Sequence, residues 1–401
     1  MLLGTRVKNY RFLTDMKAGM LADEITHYSE DPQAAFSAGL SPVFPLTNLV
    51  AFVGRNDTGK SGFLDALSFV SDTLKQGCRN SATLAGRGGF THLQKNKDAP
   101  VSASMLFSLC LRTDGEKRDC YVSYDIDILA DRYGRPYISK EIVRIREEKP
   151  RGGAISFSDV LLLENGAGQI LHEGVMRKAG VADSLISGVT SYGALLEYPI
   201  LTALYQEIAH WFFCHFSSGK KPNIPVAPGA HRHLNAAGSN AENVLRYIEH
   251  EDPERYARLM MKIRSKIPQV KHNVNLPDFF KESPNKLFLY LLLLEDSRPN
   301  PLIFMETPSE GLYHDMVDVL ATEFREYVLR HQRTQLFFST HNPYILESLA
   351  PSEVWIFSRD DSRTHATYVH CAGASPVVSE MYKQGVGMGA IWYAGHFEDE
   401  E

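Results

Sequence analysis

The sequence predicts an α/β fold that carries an antiparallel β block and an inserted, mainly helical lobe. Three observations predict it. Short apolar β-runs that lead into helical periodicity occur towards both ends of the chain, around 49–74 and 301–358. Between 101 and 165 the runs VSASMLFSLCLR, CYVSYDIDIL, ISKEIVRIREE and FSDVLLLEN follow one another, with DRYGRP reading as the turn of a hairpin. From about 180 to 268 the apolar spacing becomes helical. The resulting division is 1–165 for an N-terminal lobe with the β block, 166–285 for the helical lobe and 286–401 for a C-terminal α/β lobe.

Taken in order, GTRVKNYRFL alternates and is bounded by turn residues, so it reads as an opening strand. Residues 18–45 are mixed and polar and contain three prolines, which predicts an irregular connection. LVAFVG at 49–54 is an apolar strand, and the helix after it is set by Phe63, Leu64, Leu67, Val70 and Leu74 at spacings of three and four. Pro253 opens a helix whose one face holds Tyr256, Leu259, Met260, Ile263 and Ile267, and Pro268 stops it. The last third reads as a helix at 286–294, a strand at 301–305, a helix at 312–330, a strand at 335–340, a short helix and a strand at 354–358. No internal repeat and no long heptad segment occur, which excludes a long coiled-coil arm.

Composition narrows the class. With 401 residues, 44% hydrophobic and 22% charged, the chain has the mix of a globular protein, not of a disordered or collagen-like one. The five cysteines, Cys78, Cys110, Cys120, Cys214 and Cys371, show no paired spacing and read as reduced thiols. The longest apolar run, LFLYLLLL at 287–294, falls well short of the roughly 20 residues that span a bilayer. The first residues lack an apolar leader segment, so the expectation is a cytoplasmic protein without membrane association. A net charge of −6 requires that any contact with nucleic acid come from a local patch.

GRNDTGKS at 54–61 carries the chemistry that stands out. Gly54, Gly59, Lys60 and Ser61 complete the G-x-x-x-x-G-K-[ST] pattern between a strand and a helix, with Arg55, Asn56, Asp57 and Thr58 forming the loop. Such a loop turns backbone N–H groups around phosphates, and the helix behind it presents its positive end to the anion. Lys60 is then placed for the β- and γ-phosphates and Ser61 for Mg²⁺. ATP and Mg²⁺ are the expected ligands. PLIFMETPSEGL at 301–312 ends an apolar strand in Glu306, the candidate metal-holding carboxylate. The next position is Thr307, which cannot act as a carboxylate base. STHNP at 339–343 follows another apolar strand, and His341 is the candidate for sensing the γ-phosphate or polarising water.

In this order the motifs resemble the RecF/SMC/OLD-like branch of ABC-type ATPases, in its compact form without a coiled-coil arm. RVKNYRFLTD is similar to the first strand of that family, GRNDTGKSGFLDAL to its phosphate loop, and GRGGF at 86–90 to a segment near its Q-loop. AAGSNAENVLRYIEHEDPERY, ETPSEGLYH, FFSTHNPYILESL and the closing GMGAIWYAGHF follow in the family's order. The resemblance implies an ABC-type P-loop head and makes Gln94 a candidate metal ligand. It also implies that Ser283, in KESPNKL, is the remnant of the signature turn that a second subunit offers to the nucleotide. The departures are Thr307 and Ser309 at acidic positions and Pro284 in the signature turn, where proline removes an N–H donor.

The resulting expectation is an ATP-binding, slowly hydrolysing head that dimerises or oligomerises and switches a separate effector, such as a nuclease, in anti-phage defence. The alternative is a RecF-type repair or replication ATPase acting directly on DNA, with DNA or RNA as partner. A kinase or GTPase fits less well, since no guanine-reading N-K-x-D segment occurs. About 60 residues follow His341, too few for a nuclease domain of typical size.

Overall fold

The computed structural model describes residues 1–28, 42–113, 116–147, 156–216, 231–267, 286–359 and 367–397. Two sheets organise them. The first has eight antiparallel strands: β1 (Leu2–Tyr10), β2 (Leu13–Gly19), β4 (Val101–Thr113), β5 (Glu116–Ala130), β6 (Pro136–Glu147), β7 (Ser158–Glu164), β8 (Ala167–His172) and β9 (Val175–Gly180). Their spatial order is β2-β1-β4-β5-β6-β7-β8-β9, so each strand from β4 onward pairs with its sequence neighbour. Alternation fixes the inward face: Val122, Tyr124, Ile126 and Ile128 of β5 are all buried.

The second sheet has the order β10-β11-β12-β3-β13-β14, with β3 (Leu49–Gly54), β10 (Phe212–Cys214), β11 (Leu302–Met305), β12 (Gln335–Ser339), β13 (Val354–Arg359) and β14 (Thr367–Cys371). Every pairing is parallel except that of the edge strand β14. Its inner strands are mostly apolar because both faces are covered. Val50 and Phe52 of β3 enter one core with α1 (Lys60–Ser81) and the inward face of the antiparallel sheet. Leu49, Ala51 and Val53 enter the other core, with α4 (Ala241–Glu251), α5 (Pro253–Lys266), α6 (Lys286–Leu294) and α7 (His314–Arg330).

Among the described residues of 166–285, expected to be mainly helical, strands occur beside the helices. The stretch begins with β8 and β9, and β10 joins the parallel sheet. Its helices also divide between the cores: α2 (Gly188–Gly193) and α3 (Pro199–Ala209) contribute Val189, Leu201, Leu204 and Ile208 to the first, whereas α4 and α5 belong to the second. AGQILH and VMRKAG gave no strand signal because most of their residues are exposed or half-buried at the sheet's edge, so they need no apolar alternation. Three short helices, α8 (Pro343–Leu346), α9 (Pro376–Lys383) and α10 (Met388–Tyr393), close the second core. Among the described residues no helix is long and apolar enough to cross a membrane.

Candidate functional site

Parallel pairing places the carboxyl ends of β11, β12 and β3 side by side on one edge of the sheet. That edge is where open α/β sheets bind ligands. Here it carries Glu306, the Ser339–His341 segment and the 54–61 loop. They border a cleft of about 650 Å³ whose lining includes Asn56, Asp57, Lys60, Ser61, Glu306 and His341.

The loop's shape follows from its glycines. Gly54 has φ +140°, and a Cβ there would lie 2.1 Å from Phe357 O on the neighbouring strand. Gly59, with φ +102°, is the N-cap of α1 and has no side chain to cap the helix itself. The first turn of α1 also lacks an acidic residue. The positive helix end therefore faces the cleft with no acidic side chain from its own first turn. Thr58 Oγ1 donates to Arg55 O at 2.9 Å and braces the turn.

Lys60 is buried, and its ammonium donates to Gly54 O at 2.7 Å and Arg55 O at 2.6 Å. Burial lowers its pKa to about 8, and the charges of Asp57 and Glu306 partly offset the effect. A phosphate oxygen is a stronger acceptor for this cation than two carbonyls. Ser61 Oγ donates to Glu306 Oε1, joining residues 245 positions apart in the chain. His341 has its pKa lowered, first by burial and then by the Lys60 charge, so its imidazole is neutral near pH 7.

The structure thus brings Asn56, Asp57, Gly59, Lys60, Ser61, Glu306 and His341 to one cleft, with Gly54, Arg55 and Thr58 completing the loop. Gln94, the candidate metal ligand, is placed elsewhere. It is buried, its backbone bridges to Tyr10, and Nε2 donates to Ala99 O at 3.1 Å; it is not among the cleft-lining residues. The amide closes the 94–99 segment on itself. Ser283 lies outside the described residues.

Several residues at the site had no role in the sequence reading. Arg11 and Phe12, from the β1–β2 turn, line the cleft. The Phe12 ring lies so close to α1 that a Cβ on Gly62 would come within 2.8 Å of it. Behind the loop, Arg87 of the GRGGF segment has a fully buried side chain that binds Asp65 Oδ1 at 2.9 Å, Asp72 Oδ2 at 2.8 Å and Ser68 Oγ at 2.9 Å. Tyr10 and Arg11 complete this network on Asp65 Oδ2 at 2.7 and 3.0 Å. The signals were present as K-N-Y-R and R-G-G-F, but nothing in the sequence says that the two segments share a carboxylate on α1.

The turn after Glu306 is held from three sides. Thr307, at φ +41°, donates its N–H to Ser339 Oγ at 3.1 Å. Its hydroxyl donates to Glu310 Oε2 at 3.1 Å. The buried Lys286, at the start of α6, donates to Thr307 O at 3.0 Å and to Glu310 O at 3.3 Å. Burial lowers the Lys286 pKa, partly offset by Glu310.

No protein-family model matches the chain, and no curated protein matches it. Among solved structures it is similar to the SMC head domain from Thermotoga maritima, at 11% identity and TM-score 0.40, covering 92% of this chain and 98% of that one. A similar match is an Smc head bound to the C-terminal winged-helix domain of ScpA, at 12% identity and TM-score 0.40, covering 92% and 96%. A third is the Smc head domain with an extended coiled coil, bound to the C-terminal domain of ScpA and derived from Pyrococcus furiosus. It gives 11% identity and TM-score 0.38, covering 95% and 99%. These likenesses are distant, and the function proposed below rests on the chain's own residues.

Proposed function

We propose that this chain binds ATP with Mg²⁺ and hydrolyses it slowly, working as a nucleotide-gated switch. The observation that carries the reading is the meeting of Lys60, Ser61, Glu306 and His341, from three adjacent strand ends, around one cleft beside an uncapped helix N-terminus. Loop N–H groups and Lys60 bind the phosphates, and His341, as a neutral imidazole, is placed to hydrogen-bond the terminal phosphate or a water next to it. The pocketed Arg11 and Phe12 offer a cation and an aromatic face to the rest of the nucleotide.

The donor set fits Mg²⁺. Ser61 and Glu306 bring a hydroxyl and a carboxylate together, and a hard cation takes such oxygens plus phosphates and water. Among the described residues no group of three or more His, Cys, Asp or Glu side chains could hold a metal by itself, which suits a cation that arrives with its nucleotide. The cation would neutralise phosphate charge in the cleft.

The slow rate follows from Thr307, which stands where the resemblance places a water-orienting carboxylate. The finer reading, a head that pairs with a second copy and controls a separate effector in defence, is supported by the sequence resemblance. Titration with ATP and Mg²⁺ tests the core of the proposal. Wild-type protein is expected to bind, and Lys60→Ala to lose at least about tenfold in affinity with its folded spectrum intact. Equal affinity of the two proteins would overturn it.

A further inference from the structure

We propose that Asp57 is a charge selector in the phosphate loop: its carboxylate turns away metal-free ATP and admits the nucleotide as its Mg²⁺ complex. This deepens the nucleotide-binding reading above and rests on it. Asp57 lines the cleft together with Lys60, Ser61 and Glu306. Its carboxylate and that of Glu306 are both close enough to act on the Lys60 ammonium by charge.

The backbone explains why a short polar residue stands at 57, but not why a charged one does. Asp57 has φ +64°, left-handed backbone that glycine, asparagine and aspartate accept most readily. Glycine or asparagine would serve the turn without adding charge. Bracing of the turn falls to Thr58, whose hydroxyl donates to Arg55 O at 2.9 Å. Asp57 itself is exposed, and among the described residues no hydrogen bond or ion pair ties its carboxylate down.

The charges around the cleft give that carboxylate its weight. Asp65, also in the lining, is matched by Arg87 at 2.9 Å and Arg11 at 3.0 Å. That leaves the Lys60 ammonium facing the two carboxylates of Asp57 and Glu306. His341 adds no charge near pH 7, because burial and Lys60 lower its pKa. Metal-free ATP brings about four negative charges to this place, whereas its Mg²⁺ complex brings about two. Glu306 and Ser61 are the oxygens that would take the cation, so the charge of Glu306 is offset when the complex binds. The charge of Asp57 remains as a repulsion, and repelling the wrong ligand is one of the two ways in which a site discriminates. This repulsion scales with ligand charge, so in logarithmic terms it weighs about twice as heavily on the free nucleotide as on the complex.

ATP titrations of wild type, Asp57→Asn and Asp57→Gly, each with Mg²⁺ and with EDTA at low ionic strength, test this. Both variants keep a residue that accepts left-handed backbone, and both lose the charge. Affinity for metal-free ATP is expected to rise about tenfold in each, and affinity with Mg²⁺ about threefold. The preference for the Mg²⁺ complex thereby falls about threefold, and the difference shrinks in about 0.5 M salt. A preference unchanged in Asp57→Asn overturns the proposal. So does a loss of affinity with Mg²⁺, which would make Asp57 a holder of the cation. An effect present in Asp57→Gly and absent in Asp57→Asn also overturns it, since the cause would then be the backbone. Absence of ATP binding by the wild type with Mg²⁺ would instead remove the nucleotide reading itself.

Discussion

The Glu141 carboxylate, 1% exposed, joins the antiparallel sheet to the start of α2. It accepts hydrogen bonds from Tyr124 Oη at 2.9 Å, Ser187 Oγ at 2.5 Å and Gly188 N–H at 2.6 Å. Removing it strands those buried donors, so Glu141→Ala is expected to cost about 3–5 kcal/mol, read from chemical denaturation. Burial raises its pKa above the ordinary carboxylate value, against the pull of the hydrogen bonds. The folded state then holds this proton more tightly than the unfolded one. The resulting stability is fully present below the ordinary Glu pKa and is lost as pH rises through the raised value. Melting temperatures of wild type and Glu141→Gln at pH 5 and pH 8 check the sign, with wild type faring relatively better at pH 5. At the same scale, nothing in the sequence singled out Glu310 as the partner of Thr307. In ETPSEGL it is one polar residue among several, and only the turn brings its carboxylate to Thr307.

Among elements, α1 does the most. Its first turn carries the phosphate loop, its middle packs Phe63, Leu67 and Val70 into the first core, and Asp65 and Asp72 on its flank hold Arg87. The 3.6-residue spacing made the helix legible. Its kink was not. Gly77 has φ +82°, and a Cβ there would lie 2.9 Å from Leu185 O, the carbonyl that also accepts the Cys78 N–H at 3.0 Å. Gly77→Ala combines a left-handed backbone with that collision. It is expected to destabilise the fold by about 1–3 kcal/mol while leaving nucleotide affinity unchanged, since the kink lies at the far end from the loop. Thermal melting and ATP titration on the same variant separate the two effects.

At the scale of the whole molecule, the two sheets are joined by a fully buried side chain. Gln335 of β12 accepts the Leu2 N–H at 2.6 Å and donates to Leu2 O at 2.9 Å and Thr47 O at 3.0 Å. The start of β1 is thereby fixed to β12, the strand that leads to His341. Gln335→Leu keeps the approximate volume but leaves those backbone groups unpaired. The expected cost is about 2–4 kcal/mol, seen as a lower urea midpoint.

What the sequence by itself determined is local. The glycines, Lys60 and Ser61 shape the phosphate loop through contiguous backbone, and apolar runs mark β3, β11 and β12 with Glu306 and His341 at their ends. Tertiary structure decided the rest, because it depends on pairings between distant residues that no periodicity records. The order β11-β12-β3 sets Glu306 against Ser61 across 245 positions. Packing of β1 on α1 makes Asp65 the shared partner of Tyr10, Arg11 and Arg87. Gln94, readable by motif order as a metal ligand, is drawn instead to Ala99 O, since its buried amide must satisfy its hydrogen bonds where the chain leaves it.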